Sequence, residues 1–235
     1  MKIKIKDPIF LALIFLVSGN MMSFGQQQIP NNGFEDWEEI RSDVNEPLHW
    51  NSIKSNDGGK IMKRMAPEVA YRTESTHTGK FALKLVNKST AGIVANGIMT
   101  NGAIHADMDK SKSYIYTESG KHGYFTSFAS RPDSISGWYI YEPQENDSAM
   151  VICLLHTGYI TLPDQGTKAN WVAGVKLMLP ATRENSWTRF SAPFSYYQDR
   201  SPEYIVIVLS AGNRKNAIEG SEAWFDDLKL IYNKP

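Results

Sequence analysis

The sequence contains a single cysteine, Cys153, among its 235 residues. An internal disulfide is therefore excluded, and the fold must be stabilised by core packing or by a bound ion. Cys153 lies within the apolar run AMVICLLH. We expect it to be a small buried side chain rather than a reactive thiol, because reactive cysteines occupy partly exposed, electropositive surroundings.

The chain also lacks an excess of charge of either sign. It has 25 lysine and arginine residues and 25 aspartate and glutamate residues; without residues 1–25, there remain 22 basic and 24 acidic residues. A nearly neutral protein has no basic field that would attract nucleic acid. We therefore expect no nucleic-acid partner.

Recognisable catalytic motifs are missing as well. The sequence contains no Gly-x-Ser-x-Gly, no His-Glu-x-x-His, no phosphate-binding glycine loop and no dinucleotide fingerprint. The five histidines stand singly, which gives little support to a zinc site. A pair of acids for glycoside cleavage can still be assembled by the fold, and the sequence neither excludes nor favours it. No catalytic residue is predicted.

The longest apolar run is at the N-terminus. Three lysines precede PIFLALIFLVSG, which has the length of a signal-peptide core and is short for a membrane span. We predict that residues 1–25 are a removed secretory signal, with a retained membrane anchor as the alternative. The mature chain has no membrane-spanning segment, and we expect it to be secreted, in the periplasm or at the cell surface.

Short apolar or alternating runs, separated by Gly, Pro, Asn and Asp, dominate the rest of the chain. Each has the length of a strand and is rich in β-branched and aromatic residues. The clearest are FALKLV (81–86), GWYIY (137–141), AMVICLL (149–155), WVAGVKLML (171–179), TRFSAPF (188–194), EYIVIVLS (203–210) and AWFDDLKLI (223–231). The pattern predicts an all-β fold, an antiparallel β-sandwich or barrel, formed by a single domain over residues 26–235.

Alternation within these runs assigns side chains to faces. In GWYIY, Trp138 and Ile140 point to one side of the strand, and Tyr139 and Tyr141 point to the other. The run EYIVIVLS is apolar almost throughout. It predicts a central strand that is either covered on both faces or covered by loops on its outer face.

Two acidic pairs occur at opposite ends of the mature chain. Glu35 and Asp36 lie in NGFEDW, and Asp226 and Asp227 lie in AWFDDLKL. The termini of a domain often lie close together, so we expect these carboxylates to meet. A hard cation such as Ca²⁺, which takes six to eight oxygen ligands, would relieve their repulsion. The equally weighted alternative is that one acid of each pair faces solvent while the other caps a turn.

Several segments resemble, in order, a family of secreted Bacteroidetes proteins. They are IPNNGFEDW, EPLHWNS, HTGKFALKL, FTSFASRPDSISGWYIYEPQENDSAMVICLL, WTRFSAPFSYYQDRSPEYIVIVLSAG and WFDDLKLIY. The family is named the "putative carbohydrate metabolism domain" (PCMD), and the resemblance covers nearly all of residues 29–232. NGFEDW and the terminal DD are also similar to the start and end of several jelly-roll carbohydrate-binding modules.

The resemblance implies a two-sheet antiparallel β-sandwich of the jelly-roll, galactose-binding-like kind. In the modules that the chain resembles, a structural calcium ion is held near the first and last strands. Carried over by motif, the matching side chains are Glu35 and Asp226, and the backbone around Gly33 and Lys80 would complete the shell. Asp227 is the alternative ligand if the register is shifted by one residue.

Sugar recognition needs flat aromatic faces together with amides, carboxylates or guanidinium groups for the hydroxyls. The candidates for sugar contact are Tyr139, Tyr141, Tyr196, Tyr197, Trp171, Arg131 and Asp133. The alternative role of each tyrosine is to pack in the core or at the edge of a sheet. The alternative role of Arg131 is to hold a loop in place by binding a neighbouring carboxylate. The tryptophans expected to plug the core or its ends are Trp37, Trp50, Trp138, Trp187 and Trp224.

Together these features predict a secreted, non-catalytic glycan-binding module with a structural Ca²⁺ between its first and last strands. Its partner would be a polysaccharide or an oligosaccharide. One alternative is a glycoside hydrolase or polysaccharide lyase whose acids are assembled in a cleft. Another is an adhesion or structural protein of the cell envelope that binds other proteins.

Overall fold

A computed structural model describes residues 26–90, 92–182, 186–213 and 217–233. The predicted signal sequence, residues 1–25, lies outside the described residues. The described residues form eighteen strands: β1 (Trp37–Arg41), β2 (Val44–Pro47), β3 (Asn51–Ser52), β4 (Ala70–Thr73), β5 (Ala82–Val86), β6 (Lys88–Thr90), β7 (Ile93–Ala95), β8 (Ile98–Thr100), β9 (Ala103–His105), β10 (Tyr114–Thr117), β11 (Ser134–Glu142), β12 (Ala149–His156), β13 (Ile160–Leu162), β14 (Trp171–Leu179), β15 (Thr188–Pro193), β16 (Ser195–Tyr196), β17 (Tyr204–Ser210) and β18 (Glu222–Ile231). They also form one α-helix, α1 (Gly59–Met65), and 3₁₀-helices at Ile53–Ser55, Lys110–Lys112 and Lys168–Asn170.

Two large antiparallel sheets make up the body of the protein. The five-stranded sheet has the order β15-β11-β18-β5-β4, and the six-stranded sheet has the order β16-β14-β12-β17-β8-β3. Smaller sheets are formed by β1-β2, by β6-β7 and by β13-β10-β9. Each of the seven runs singled out in the sequence is a strand of one of the two large sheets. The prediction of an all-β antiparallel sandwich is confirmed.

One hydrophobic core fills the space between the two large sheets. Phe225 of the five-stranded sheet and Leu155 and Ile207 of the six-stranded sheet are fully buried members of the same cluster. Burial of this apolar surface is the main force that holds the sheets together. Cys153 belongs to the same cluster, and burial raises the pKa of its thiol. Its prediction as a small buried side chain is confirmed.

A second apolar layer covers part of the outer face of the six-stranded sheet. Val206 and Val208 of β17 and Leu154 of β12 pack there against Ile115 and Ile160 of the three-stranded sheet β13-β10-β9. Strand β17 lies between β12 and β8. EYIVIVLS is therefore a central strand with apolar cover on both faces, as its sequence predicts.

The tryptophans do not all occupy the core as expected. Trp50 is buried in the core, and Trp37 packs against it while partly exposed. Trp138, Trp187 and Trp224 are half-buried and are not members of the core cluster. On β11 and β18 the core side is taken by the residues next to Trp138 and Trp224, so these indoles point outward from the five-stranded sheet.

None of the helices formed by the described residues has the length and apolar character needed to cross a lipid bilayer.

Candidate functional site

A β-bulge in β18 brings two adjacent carboxylates to one side of the five-stranded sheet. The register between β11 and β18 shifts between the pair Trp138–Asp226 and the pair Ser136–Lys229. Asp227 lies at this shift with a φ of 48°. In a regular strand, Asp226 and Asp227 would point to opposite faces; the extra residue of a bulge removes that alternation.

The N-terminal turn is bonded to this part of β18. The backbone N–H of Leu228 donates to the carbonyl oxygen of Asn32 at 2.9 Å, and the side-chain amide of Asn32 donates to the carbonyl oxygen of Leu228 at 2.5 Å. The next aromatic residue, Phe34, is fully buried, and its ring lies 5.2 Å from that of Trp50. This anchor in the core fixes the residues on either side of it against the sheet.

Three carboxylic acids therefore surround Gly33. A Cβ atom added to Gly33 would lie 3.6 Å from Oδ1 of Asp227, 3.8 Å from Oδ1 of Asp226 and 4.0 Å from Cγ of Glu35. We call Glu35, Asp226 and Asp227 the acid cluster. The segments that contain Glu35 and Asp226 are neighbours, as predicted, although strand β1 itself pairs with β2 rather than with β18.

The loop of residues 77–80 donates backbone hydrogen bonds to the acid cluster. The N–H groups of His77 and Thr78 donate to Oδ2 of Asp226 at 2.8 and 3.2 Å. The N–H of Lys80 donates to Oε1 and Oε2 of Glu35 at 3.0 and 3.1 Å. One short loop thus joins an acid of the N-terminal turn to an acid of the last strand.

Glycine is required at position 79 of this loop. Gly79 has a φ of 72°, a conformation that L side chains rarely adopt. A Cβ atom there would lie only 1.8 Å from Oε1 of Glu35. The Thr-Gly-Lys sequence therefore lets the loop close tightly over Glu35.

The side chain of His77 connects the acid cluster to two tryptophans. Its Nδ1 lies 2.6 Å from Oδ2 of Asp227, which also accepts a hydrogen bond from the hydroxyl of Thr78 at 2.8 Å. The imidazole stacks on Trp138 with a centroid distance of 3.9 Å and an interplanar angle of 15°. The ring of Trp187 meets it edge-on at 6.2 Å.

Negative charge in the acid cluster is only partly compensated. Asp226 has no exposed surface, and burial raises the pKa of its carboxyl group. The hydrogen bond from the His77 backbone opposes this rise in pKa, and the charge of Asp227 adds to it. Among the described residues, no lysine or arginine side chain forms an ion pair with any of these three acids.

The part of the chain that the structure describes contains no group of three or more His, Cys, Asp or Glu side chains arranged as a metal site. Glu35 and Asp226 instead accept hydrogen bonds from backbone amides. A cation at this place would need backbone carbonyl groups for much of its coordination shell, as hard cations commonly do.

A groove of about 520 Å³ opens beside the acid cluster, on the outer face of the five-stranded sheet. We call it the tryptophan groove. Its functional groups come from Gln26, Gln28, Trp138, Arg189, Asp227 and Lys229. Trp138 of β11 and Arg189 of β15 are cross-strand neighbours, and Asp226 of β18 is the neighbour of Trp138 on its other side. The groove therefore combines an indole ring with cationic, amide and carboxylate groups.

Two of the predicted sugar-binding residues are part of the core. Tyr139 is 4% exposed and Tyr141 is 1% exposed, and both belong to the core cluster between the sheets. They offer no ring face to a ligand, which corrects the prediction for these two residues. The separation of Trp138 from the two tyrosines along β11 was predicted correctly. The two faces were assigned the wrong way round, because the tyrosines face the core and Trp138 faces outward.

Arg131 and Tyr196 form a structural pair. The guanidinium of Arg131 lies 4.1 Å from the centre of the Tyr196 ring and donates to the carbonyl oxygens of Gln198 and Arg200. The hydroxyl of Tyr196 donates to the carbonyl oxygen of Pro132, and burial raises its pKa to about 12. The geometry corresponds to the alternative role of Arg131, the pinning of a loop.

The other predicted residues lie at two further places. Tyr197 is exposed, and its ring centre lies 6.4 Å from that of the half-buried Trp171. The carboxylate of Asp133 accepts a hydrogen bond from the backbone N–H of Asn233 at 2.5 Å. The described structure therefore does not gather the predicted sugar-contact residues into one cleft.

The residues of the tryptophan groove were missed because their neighbours in space are distant in sequence. Among the groove residues, Arg189 and Lys229 have no residue type or spacing that marks a binding site. The sequence pattern that could have found the groove was the alternation in GWYIY. It placed Trp138 on the other face of the strand from the tyrosines, but it did not show which face was buried in the core.

No protein-family model and no curated protein matches this chain. Its membership of the PCMD family therefore stays a prediction. Solved structures do match. A crystal structure from Bacteroides thetaiotaomicron, named a "putative glycoside hydrolase", is 17% identical over 87% of this chain and 71% of its own, with a TM-score of 0.60.

Two further structures have lower TM-scores. TmCBM61, solved in complex with β-1,4-galactotriose, is 12% identical over 87% of this chain and 97% of its own, with a TM-score of 0.40. The K3 adhesin domain of Lys-gingipain from Porphyromonas gingivalis is 12% identical over 88% of this chain and 100% of its own, with a TM-score of 0.42. At these identities the similarity concerns the β-sandwich fold, and the fold by itself does not determine function.

Proposed function

We propose that the protein is a non-catalytic glycan-binding module and that the tryptophan groove is its binding site. The observation that carries this proposal is the position of the Trp138 indole between Arg189, Asp227 and Lys229 in one groove. An aromatic ring binds the C–H surface of a sugar, and charged or amide groups bind its hydroxyls.

Binding is favoured over hydrolysis by the number of acids in the groove. Asp227 is the only carboxylate among the described residues that line it. Both of its oxygens are already engaged, by the hydroxyl of Thr78 and by the ring of His77. Glycoside hydrolysis commonly uses two carboxyl groups on either side of the scissile bond. The described lining of this groove supplies only the carboxylate of Asp227, which already accepts hydrogen bonds from other residues.

The cations of the groove favour an acidic saccharide. Arg189 and Lys229 are both exposed and line the same groove, and neither forms an ion pair with another described residue. A guanidinium group binds a carboxylate through two parallel hydrogen bonds. A glycan that contains uronic acids therefore fits the groove better than a neutral one.

We also propose a structural Ca²⁺ at the acid cluster. Support comes from the three acids around Gly33 and from the burial that raises the pKa of Asp226. Glu35 and Asp226 would bind the ion together with backbone carbonyls near Gly33 and Lys80. Asp227 is the weaker candidate, because His77 and Thr78 already hold it. When bound, the ion would neutralise the cluster and supply no chemistry to a reaction.

Secretion and membership of the PCMD family complete the proposal. The N-terminal leader supports export to the periplasm or the cell surface, where polysaccharide is available. The PCMD assignment rests on the sequence resemblance alone, and envelope proteins remain an alternative class of partner for the same sandwich.

A glycan array that includes neutral and uronic-acid oligosaccharides tests the proposed function. The mature protein should bind uronic-acid glycans, and Trp138→Ala should abolish that binding. Trp224→Ala is the matched control, since Trp224 is a half-buried indole on the same sheet that lies outside the groove. Binding that survives Trp138→Ala but is lost in Tyr197→Ala would move the site to the Trp171–Tyr197 pair.

A further inference from the structure

A second and more apolar groove, of about 550 Å³, lies on the outer face of the six-stranded sheet. Its floor is formed by two cross-strand pairs of β12 and β14. Met150 lies opposite Met178, and Ile152 lies opposite Lys176. Ile152 also packs against the apolar layer that contains Ile115 and Leu162 of the three-stranded sheet β13-β10-β9, and both of these residues line the groove as well. Met150 is 7% exposed and Met178 is 42% exposed, so the floor is open mainly on its β14 side.

Methionine is concentrated in this groove to an unusual degree. The sequence has six methionines after residue 25, and five of them line the groove. The five are Met62, Met65, Met108, Met150 and Met178. Methionine side chains are unbranched and flexible, so they adapt to apolar ligands of irregular shape. We call this site the methionine groove.

The groove also holds most of the exposed large apolar side chains of the described structure. Met65 and Ile93 are 39% exposed, Met178 is 42% exposed and Met108 is 54% exposed. Of the seven large apolar side chains that are exposed among the described residues, these four line the groove. A concentration of apolar surface in one concave place marks a binding site more often than chance exposure.

Two lysines at the groove supply positive charge. Lys110 and Lys176 are exposed, line the groove, and form no ion pair with any described residue. The acidic group of the lining is Asp107, which accepts a hydrogen bond from the backbone N–H of Asp109. His105 is held at 3.0 Å from Asp57. An anionic group would find its partner in one of the lysines.

We propose that the methionine groove binds a single-chain amphiphile that has an aliphatic tail and an anionic head. The tail would lie along the floor over Met150 and Met178, and the head would pair with Lys176. The volume falls within the range of about 300–1,000 Å³ that is typical of small-molecule sites. This ligand class goes beyond the glycan proposed for the tryptophan groove on the other sheet.

The lining argues against two other occupants. Tyr114 is the only tyrosine, tryptophan or phenylalanine among the described residues that line the groove, so it lacks the aromatic faces on which sugars stack. A protein partner needs about 800 Å² on each side for a stable interface, whereas a groove of about 550 Å³ suits a thin chain. An alkyl chain needs no aromatic face to stack on and is thin enough for a groove of this volume.

Titration of the mature protein with a dansyl-labelled undecanoic acid tests the proposal. We expect saturable fluorescence enhancement that dodecanoate reverses by competition. Met178→Glu and, separately, Met65→Glu place a negative charge in the groove and should weaken binding by at least about tenfold, because the carboxylate interrupts the apolar surface under the tail and competes with the anionic head for the lysines. Ile61→Glu is the matched control, since Ile61 is 74% exposed on α1 and does not line the groove.

The head group is tested with Lys176→Met. This variant should bind dodecanoate more weakly and the methyl ester of dodecanoate unchanged. Three results would overturn the proposal: no saturable binding by the wild-type protein, unchanged affinity in both glutamate variants with intact melting curves, or displacement of the probe by an oligosaccharide. Trp138→Ala should leave fatty-acid binding intact, so failure of this proposal and failure of the glycan proposal are distinguishable.

Discussion

The Nδ1 atom of His77 lies 2.6 Å from Oδ2 of Asp227, while the same imidazole stacks on Trp138 at 3.9 Å. One side chain thus touches the acid cluster and the tryptophan groove together. The backbone of His77 also donates to Asp226. Any change that loosens the acid cluster should therefore shift the ring on which Trp138 rests.

Chelation should lower the thermal stability of the mature protein. A Ca²⁺ ion that binds only the folded state adds about 2.7 kcal/mol when its concentration is a hundred times the dissociation constant. Differential scanning calorimetry with Ca²⁺ and with EDTA measures the shift in melting temperature. Identical curves under the two conditions would rule out a stabilising ion at this cluster.

Glu35→Gln should remove the response to Ca²⁺ and leave the melting temperature near that of the chelated wild-type protein. Asp36→Asn is the matched control, because Asp36 is the adjacent exposed acid of the same turn and lies outside the acid cluster. A Ca²⁺ response that persists in Glu35→Gln would exclude Glu35 from the ligands.

Substitution of Gly79 should destabilise the protein more than substitution of another glycine with the same backbone conformation. Gly79 and Gly59 have φ values of 72° and 77°, but a Cβ atom at Gly59 meets nothing within 4 Å. Gly59→Ala should cost about 1 kcal/mol, the backbone penalty alone. Gly79→Ala must also displace Glu35, so we expect a loss of about 2–3 kcal/mol. Urea unfolding of both variants measures the difference; equal losses would mean that the Glu35 contact contributes little.

The stability of the protein should fall in mild acid because of His156. Burial lowers the pKa of this fully buried imidazole to about 4 in the folded protein, against an ordinary value of 6.5. The folded state therefore binds the proton less readily than the unfolded state does. The stabilisation is complete above pH 6.5 and is lost as the pH falls towards 4, by roughly 3 kcal/mol in total.

His156→Phe isolates this contribution. Burial raises the pKa of Glu46 and of Asp226, and these carboxyl groups act in the opposite direction, favouring the folded state at low pH. The difference between wild-type and variant removes their contribution. Urea unfolding between pH 7 and pH 4 should show a smaller decline in His156→Phe; parallel profiles would assign the acid sensitivity to other groups.

The ring of His77 should matter for glycan binding separately from its bond to Asp227. His77→Phe keeps an aromatic ring against Trp138 and should retain most of the affinity for a glycan that the array identifies. His77→Ala removes the stacked ring, which is worth about 1 kcal/mol, and should weaken binding about fivefold. Isothermal titration calorimetry compares the two variants, and equal affinities would show that Trp138 needs no support from this ring.

The locations of the strands could be read from local pattern, whereas the sites could not. The run GWYIY indicated a strand and separated Trp138 from Tyr139 and Tyr141. Aromatic side chains occupy both faces of that strand, so hydrophobicity alone gave no reason to choose the tyrosines for the core. The choice depends on the opposing sheet, whose side chains fill the space around Tyr139 and Tyr141.

The sequence alone determined the class of fold and the single buried thiol, because both follow from residue type and spacing. It led us to expect that the acids of NGFEDW meet those near the C-terminus, on the general ground that the termini of a domain often lie close together. Only the tertiary structure decided that a bulge at Asp227 turns two neighbouring acids towards Gly33, and that Trp138 and the methionines line separate grooves. These features depend on strand register and on sheet packing, which join residues from 28 positions apart (Met150 and Met178) to 194 positions apart (Gly33 and Asp227) and leave no short-range signal in the chain.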